Sequence, residues 1–200
     1  RRHHRIGFND TAVVSGLQRM VEVLRSPFNA VVGNADVIEL SAISVLPGAP
    51  SQLVHPDVTH DSNLSCASVP PAPLYSVFCY VVDVTHNGMG ATMFFPGTHL
   101  LRSDSAQQRA HHTMNMPGAK FPSPPVFSVL PAGSVVVYDA STLHAGMHND
   151  ASVTRHMAYI TMLGEKGDAG GAQLFSIIPE LIGNLTLEQF LAVDTATVSD

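Results

Sequence analysis

The sequence contains no run near the roughly 20 apolar residues that cross a bilayer as a helix, and no apolar segment with a cleavage site follows its start. Neither a transmembrane helix nor a signal peptide is expected, and an intracellular setting is favoured. The chain opens on Arg1 rather than methionine, so its native N-terminus is expected to be missing. Positive charge is also scarce. Ten lysines and arginines stand against sixteen acids, for a net charge of −6, and the only basic run is Arg1-Arg2-His3-His4-Arg5. Such a surface offers no electrostatic footprint for nucleic acid. Cys66 and Cys79 are too few for a disulfide framework and are expected as two separate thiols, a single bridge being the alternative. The sequons at Asn9, Asn63 and Asn184 are about as many as chance allows and are not read as secretion.

What the chain has is apolar content, 45% over 200 residues, enough for one domain over 1–200 with a substantial core. Val13, Val14, Leu17, Met20, Val21 and Leu24 fall at helical spacing after Asn9-Asp10, which predicts an amphipathic helix over 10–25 packed on the outside of a sheet. Strands are expected at 35–46, 74–84, 91–95, 126–130, 134–138, 151–162 and 173–178, with a short helix opening at the capping box Thr186-x-x-Gln189. In the first strand, alternation puts Ile38, Leu40, Ala42 and Ser44 on one face and Val37, Glu39, Ser41, Ile43 and Val45 on the other. Many short strands with turns between them indicate an all-β core, a double-sheet barrel of jelly-roll type with a few flanking helices.

The chemistry gathers around His55-Pro56-Asp57. Proline pushes the residue before it into extended geometry, and in extended chain positions i and i+2 share a face. An imidazole and a carboxylate can therefore reach one ion. His144 is the candidate third ligand. The strand-like runs on either side of His148-Asn149-Asp150 suggest a hairpin centred between Asn149 and Asp150, which would set Arg155 directly across from His144. Two histidines and one carboxylate on one face of a metal are the ligand set of non-haem Fe(II) oxygenases and leave positions open for a keto acid and O2. A guanidinium beyond them can fork onto a carboxylate through two parallel bonds, which lysine cannot do.

The runs Pro47 to Asp57, Asn87 to His99 and Gly133 to Arg155 together resemble the phytanoyl-CoA dioxygenase family of Fe(II)/2-oxoglutarate oxygenases, and in flavour its fungal-type natural-product members. The resemblance covers roughly residues 38–163, with the motif-bearing core at about 36–163. It implies a double-stranded β-helix with iron on His55, Asp57 and His144 and the distal carboxylate of 2-oxoglutarate on Arg155. It also implies keto-acid contacts from a glutamine three residues before the first ligand, here Gln52, and from a threonine four before Pro96-Gly97, here Thr92. O2 is the second co-substrate, with ascorbate as an accessory reductant. The expected reaction is hydroxylation or desaturation of a small, largely apolar organic metabolite with release of succinate and CO2. A homodimer is compatible with this reading.

Other candidates are weaker. Phe78 or Tyr80 is expected to line the pocket, while His99 is read as a structural hydrogen-bonding residue because the triad is complete. His60-Asp61, His111-His112 and the glycines of 164–171 are read as loop or surface residues. The rival function is a non-catalytic jelly-roll protein that binds a metal or ligand. Arg155 argues against it, since such a barrel has no use for a buried unpaired guanidinium, which is costly to keep.

Overall fold

A computed structural model of the chain describes residues 1–57, 74–100, 123–164, 176–181 and 183–194. Two antiparallel sheets face one another. The larger is built from β1 (Arg2–Arg5), β2 (Asp36–Val45), β3 (Leu74–Tyr80), β6 (Val135–Asp139) and β8 (Arg155–Leu163) in the order β1-β2-β8-β3-β6. The smaller has β4 (Thr92–Phe94), β5 (Val126–Phe127) and β7 (His144–Gly146) in the order β5-β4-β7. This is the jelly-roll architecture that strand count and turn spacing lead one to expect.

The expected amphipathic helix forms as α1 (Thr11–Val23), burying Val14, Leu17, Met20 and Val21, while Val13 stays 40% exposed. Sequence reading misses a second helix, α2 (Arg25–Val31), which restarts after Leu24 and buries Phe28. Its proline, Pro27, sits in the first turn, where a missing N–H costs no helical bond. The helices pack on the outer face of the larger sheet against Val37, Leu40, Val77, Ala158, Ile160 and Met162. At the C-terminal end, α3 (Leu187–Ala192) is opened by the expected capping box, with Gln189 N–H donating to Thr186 and Thr186 N–H to the Gln189 side chain.

Three expectations need correction. A bulge between Val37 and Glu39 breaks the alternation of β2. Val37 joins Leu40 in the helix-facing core, whereas Ile38 packs with Leu74, Ala140 and Leu163. The hairpin joining His144 to Arg155 does not exist, because β7 pairs with β4 in the smaller sheet and β8 pairs with β2 and β3 in the larger. Asn149 still turns the chain, but between the sheets. Its N–H donates to Ala49 O (2.9 Å), its carbonyl accepts from Gly48 (2.7 Å), and its side-chain amide donates to Val45 O (2.8 Å) and Val153 O (2.9 Å). Arg155 is thereby set opposite Val45 at the head of β8. Finally, Ser176–Ile178 of the expected last strand is not a strand, and Ile177 is instead buried in the helix-facing core. Residues 173–175, His60-Asp61, Cys66, His111-His112 and the glycines at 167, 170 and 171 lie outside the described residues.

Asn149→Ala should remove both amide bonds at the sheet crossing and leave buried acceptors short of partners. The expected loss is about 1–3 kcal/mol, read by urea unfolding; an unchanged midpoint would mean that the backbone bonds alone hold the crossing.

Candidate active site

The inner face of the larger sheet is a ladder of rows set by strand register. Arg155 stands opposite Val45; Met157 lies between Ile43 and Tyr80; Tyr159 between Ser41 and Phe78; Thr161 between Glu39 and Ser76, which is followed on β6 by Tyr138. Successive rows are about 6.6 Å apart at two residues per step, so the guanidinium end and the Glu39–Thr161 end lie at opposite ends of one cleft.

The other wall carries the histidines. The segment from Gln52 to Asp57 runs along β7 as an irregular edge. Gln52 N–H donates to Gly146 O (2.8 Å), His55 and His144 exchange both backbone bonds (2.9 Å each), and Asp57 N–H donates to Ala140 O (2.9 Å). The ligand atoms of His55, Asp57 and His144 consequently lie within 4.8 Å of one another. Each ring is held by its Nδ1, His55 on Leu53 O (2.7 Å) and His144 on Thr142 O (3.0 Å). That fixes the tautomer and leaves each Nε2 lone pair for an ion. His144 Nε2 is 3.5 Å from Asp57 Oδ1, and Asp57 Oδ2 accepts from the Tyr138 hydroxyl (2.6 Å). Two imidazole nitrogens and a carboxylate oxygen this close together are a donor set that suits one divalent metal.

Electrostatics agree with this arrangement. Burial disfavours the Asp57 anion, yet His144 and the Tyr138 hydroxyl outweigh it and hold the carboxyl below its ordinary value. Burial likewise opposes the His144 cation, but Asp57 by charge and hydrogen bond, with Thr142 O, raises it. Burial and then His144 lower His55.

Arg155 is 2% exposed. Among the described residues its Nη1 donates only to the soft sulfur of Met157 (3.2 Å) and its Nε has no partner, while the Tyr80 ring lies 5.8 Å from its central carbon. A buried guanidinium left this poor in acceptors has donors to spare for an anion. Gln52 and Thr92 line the same pocket as Arg155 and the three candidate ligands. Gln52 accepts from Gly146 N–H (2.9 Å), and a Cβ at Gly146 would collide with Gln52 and Arg1. Thr92 N–H donates to Ser128 Oγ (2.8 Å), which also accepts from Tyr80 (2.6 Å). All six residues singled out from the sequence therefore meet in one cleft, although the hairpin that was to join two of them is absent.

Model comparison identifies residues 6–157 with the family described as Phytanoyl-CoA dioxygenase (PhyH). The chain belongs to that family. This is a class of iron- and 2-oxoglutarate-dependent dioxygenases, and the match begins at Ile6, ahead of α1, where sequence motifs alone carry no resemblance. Among solved structures, HygX from Streptomyces hygroscopicus with nickel and 2-oxoglutarate bound has a TM-score of 0.61 at 15% identity, covering 82% of this chain and 70% of its own. AviO1 from Streptomyces viridochromogenes Tue57 has a TM-score of 0.51 at 19% identity, covering 67% of this chain. The present chain spans about half of AviO1, 53% of its length. At these identities the likeness establishes the family's jelly-roll fold.

Phe78 lines the pocket, as expected for one of two aromatics, while Tyr80 lies behind it as support for Arg155 and Ser128. His99 lies in a 3-10 turn outside the ligand cluster. Residues the sequence reading passed over also face the cleft: Arg1, His3, Glu39, Ser76 and Thr161. Arg1 donates to Met147 O (2.6 Å), and burial followed by the charge of Arg155 brings it down to about 10. The signal for Glu39 was a lone carboxylate inside the apolar run Val37-Ile-Glu-Leu40.

Burial pushes the Glu39 carboxyl up to about 7, against the opposing hydrogen bond from Thr161. The folded chain thus keeps a proton that the unfolded chain releases, so the carboxyl's contribution to stability falls as pH rises from about 4.5 to about 7. Glu39→Gln should abolish this loss. Its stability relative to the wild type should rise between pH 4 and pH 8 by up to about 3 kcal/mol in urea unfolding of metal-free protein, and an equal difference at both pH values would refute it.

Proposed function

We propose that this chain is an Fe(II)- and 2-oxoglutarate-dependent oxygenase that hydroxylates or desaturates a small organic metabolite. The observation that carries the reading is Arg155, a guanidinium buried in the same cleft as a His-Asp-His cluster and without an anionic partner among the described residues. A bare metal-binding barrel gains nothing from such a group. It is what a dicarboxylic keto acid chelated at the cluster would need at its far end.

In this reading His55, Asp57 and His144 hold iron(II), Arg155 forks onto the distal carboxylate, and Gln52 and Thr92 contact the keto acid along its length. Iron with 2-oxoglutarate and O2 supplies the oxidising power, converting the keto acid to succinate and CO2 while a C–H bond of the substrate is oxidised. The chain's own residues supply placement. Leu53 O and Thr142 O hold the two imidazoles so that Nε2 faces inward, and the Tyr138 hydroxyl steadies the Asp57 carboxylate. Met157, Phe78 and Ile43 line the cleft between its polar ends and keep water from the reacting centre.

His55→Ala, Asp57→Ala and His144→Ala should each abolish substrate-dependent succinate formation while leaving the circular dichroism of the fold intact; turnover retained in two of them would sink the ligand assignment. Arg155→Lys, which replaces a two-bond fork by a point charge, should raise the KM for 2-oxoglutarate by about tenfold or more. An unchanged KM would mean that the keto acid binds elsewhere.

A further inference from the structure

We propose that Glu39 is a substrate-binding residue, and that the molecule oxidised at this site presents a hydrogen-bond donor, a hydroxyl or an amine, to its carboxylate. The proposal rests on the oxygenase reading above, because that reading decides from which side the substrate comes. A keto acid stretched between the metal cluster and Arg155 fills the rows of Arg155 and Met157. The substrate must then approach from the opposite end, where the row is Glu39, Thr161, Ser76 and Tyr138. Tyr138 reaches Asp57, so this row lies directly beside the metal cluster.

Glu39 is 8% exposed, and it lines the cleft rather than the helix-facing core. The bulge at Ile38 is what separates the two environments, returning Val37 to the core while Glu39 turns inward. Bulges beside active sites commonly re-aim a side chain in this way. A carboxylate offers about four acceptor sites. Thr161 Oγ1 occupies one on Oε2 (2.5 Å), and nearby Ser176 eases ionisation of the carboxyl. Among the described residues no further hydrogen bond to this carboxyl is found, and the side chain lines the cleft.

That remainder selects the substrate class. A wholly apolar molecule seated here would seal the carboxyl from water and leave its spare acceptor sites unpaired, at a cost. A hydroxyl or amine would satisfy them. The neighbouring Ser76 and Thr161 hydroxyls, themselves 3.0 Å apart, extend the same polar strip across the floor. The substrate is therefore more polar at this end than the sequence alone leads one to expect.

Saturation-transfer NMR at pH 8, where the Glu39 carboxyl has lost its proton, on the full chain loaded with redox-inert Zn(II) and 2-oxoglutarate, tests this with three ring probes. Glucose carries hydroxyls, glucosamine adds an amine, and tetrahydropyran has the ring without a donor. Glucose or glucosamine should bind at least about tenfold more tightly than tetrahydropyran, the worth of one hydrogen bond to a charged group. Glu39→Leu should erase that difference. The isosteric Glu39→Gln, the safer variant for folding, should weaken glucosamine more than glucose if an amine is the natural donor, and both alike if a hydroxyl is. Equal binding of tetrahydropyran, no binding of either donor probe, or a preference unchanged in both variants would overturn the proposal. Calorimetric titration of 2-oxoglutarate into the same samples separates the two readings: no 2-oxoglutarate binding sinks the oxygenase function, whereas normal binding with no donor preference sinks only the role of Glu39.

Discussion

Two backbone hydrogen bonds between His55 and His144 hold the site together. They join segments nearly ninety positions apart in the chain, and each carries an imidazole toward the same cleft. Neighbouring bonds from Gln52 and Asp57 to Gly146 and Ala140 extend the pairing in both directions. The cluster is thus assembled by main-chain groups with fixed geometry, and its side chains need supply only orientation. A site built this way is as rigid as the sheet it borders, and rigidity of about half an ångström is what metal and co-substrate geometry demands.

The opposite wall works by register. Pairing of β2, β8 and β3 sorts the inward residues into rows, cationic at Arg155, apolar and aromatic through Met157, Tyr80, Phe78 and Tyr159, and polar again at Glu39, Thr161 and Ser76. A ligand lying along the cleft meets these environments in that order. The helices α1 and α2 touch none of this; they cover the outer face, whose apolar residues alternate with the functional ones.

Much of this was legible in the sequence because it depends on short-range rules. Proline at 56 constrains His55, alternation in β2 groups Glu39 with Ser41, Ile43 and Val45, and Thr186-Gln189 announces α3. That His55, Asp57, His144 and Arg155 would gather in one cleft could be anticipated from residue type, order and the family resemblance. What could not be read was pairing at long range. His144 and Arg155 flank a turn, as cross-strand neighbours do, yet the turn residue Asn149 spends its hydrogen bonds on Val45 and Ala49, and the chain changes sheets there. The bulge at Ile38 escaped for a similar reason: an extra residue leaves the local pattern of β2 almost unaltered and shows itself only against its partner β8. Glu39 went unnoticed because alternation fixed its face without saying that this face was the cleft.

The phenol of Tyr138 occupies Oδ2 of Asp57, and that single contact bears on denticity. A carboxylate free at both oxygens can chelate an ion and consume two coordination positions; a buried hydroxyl on the second oxygen draws electron density from it and favours a monodentate bond through the first. An ion held by this cluster would then take one donor atom from each of His55, Asp57 and His144 and keep its remaining positions for exchangeable ligands. The number of places open to small molecules would in this sense depend on a tyrosine that need never touch the metal.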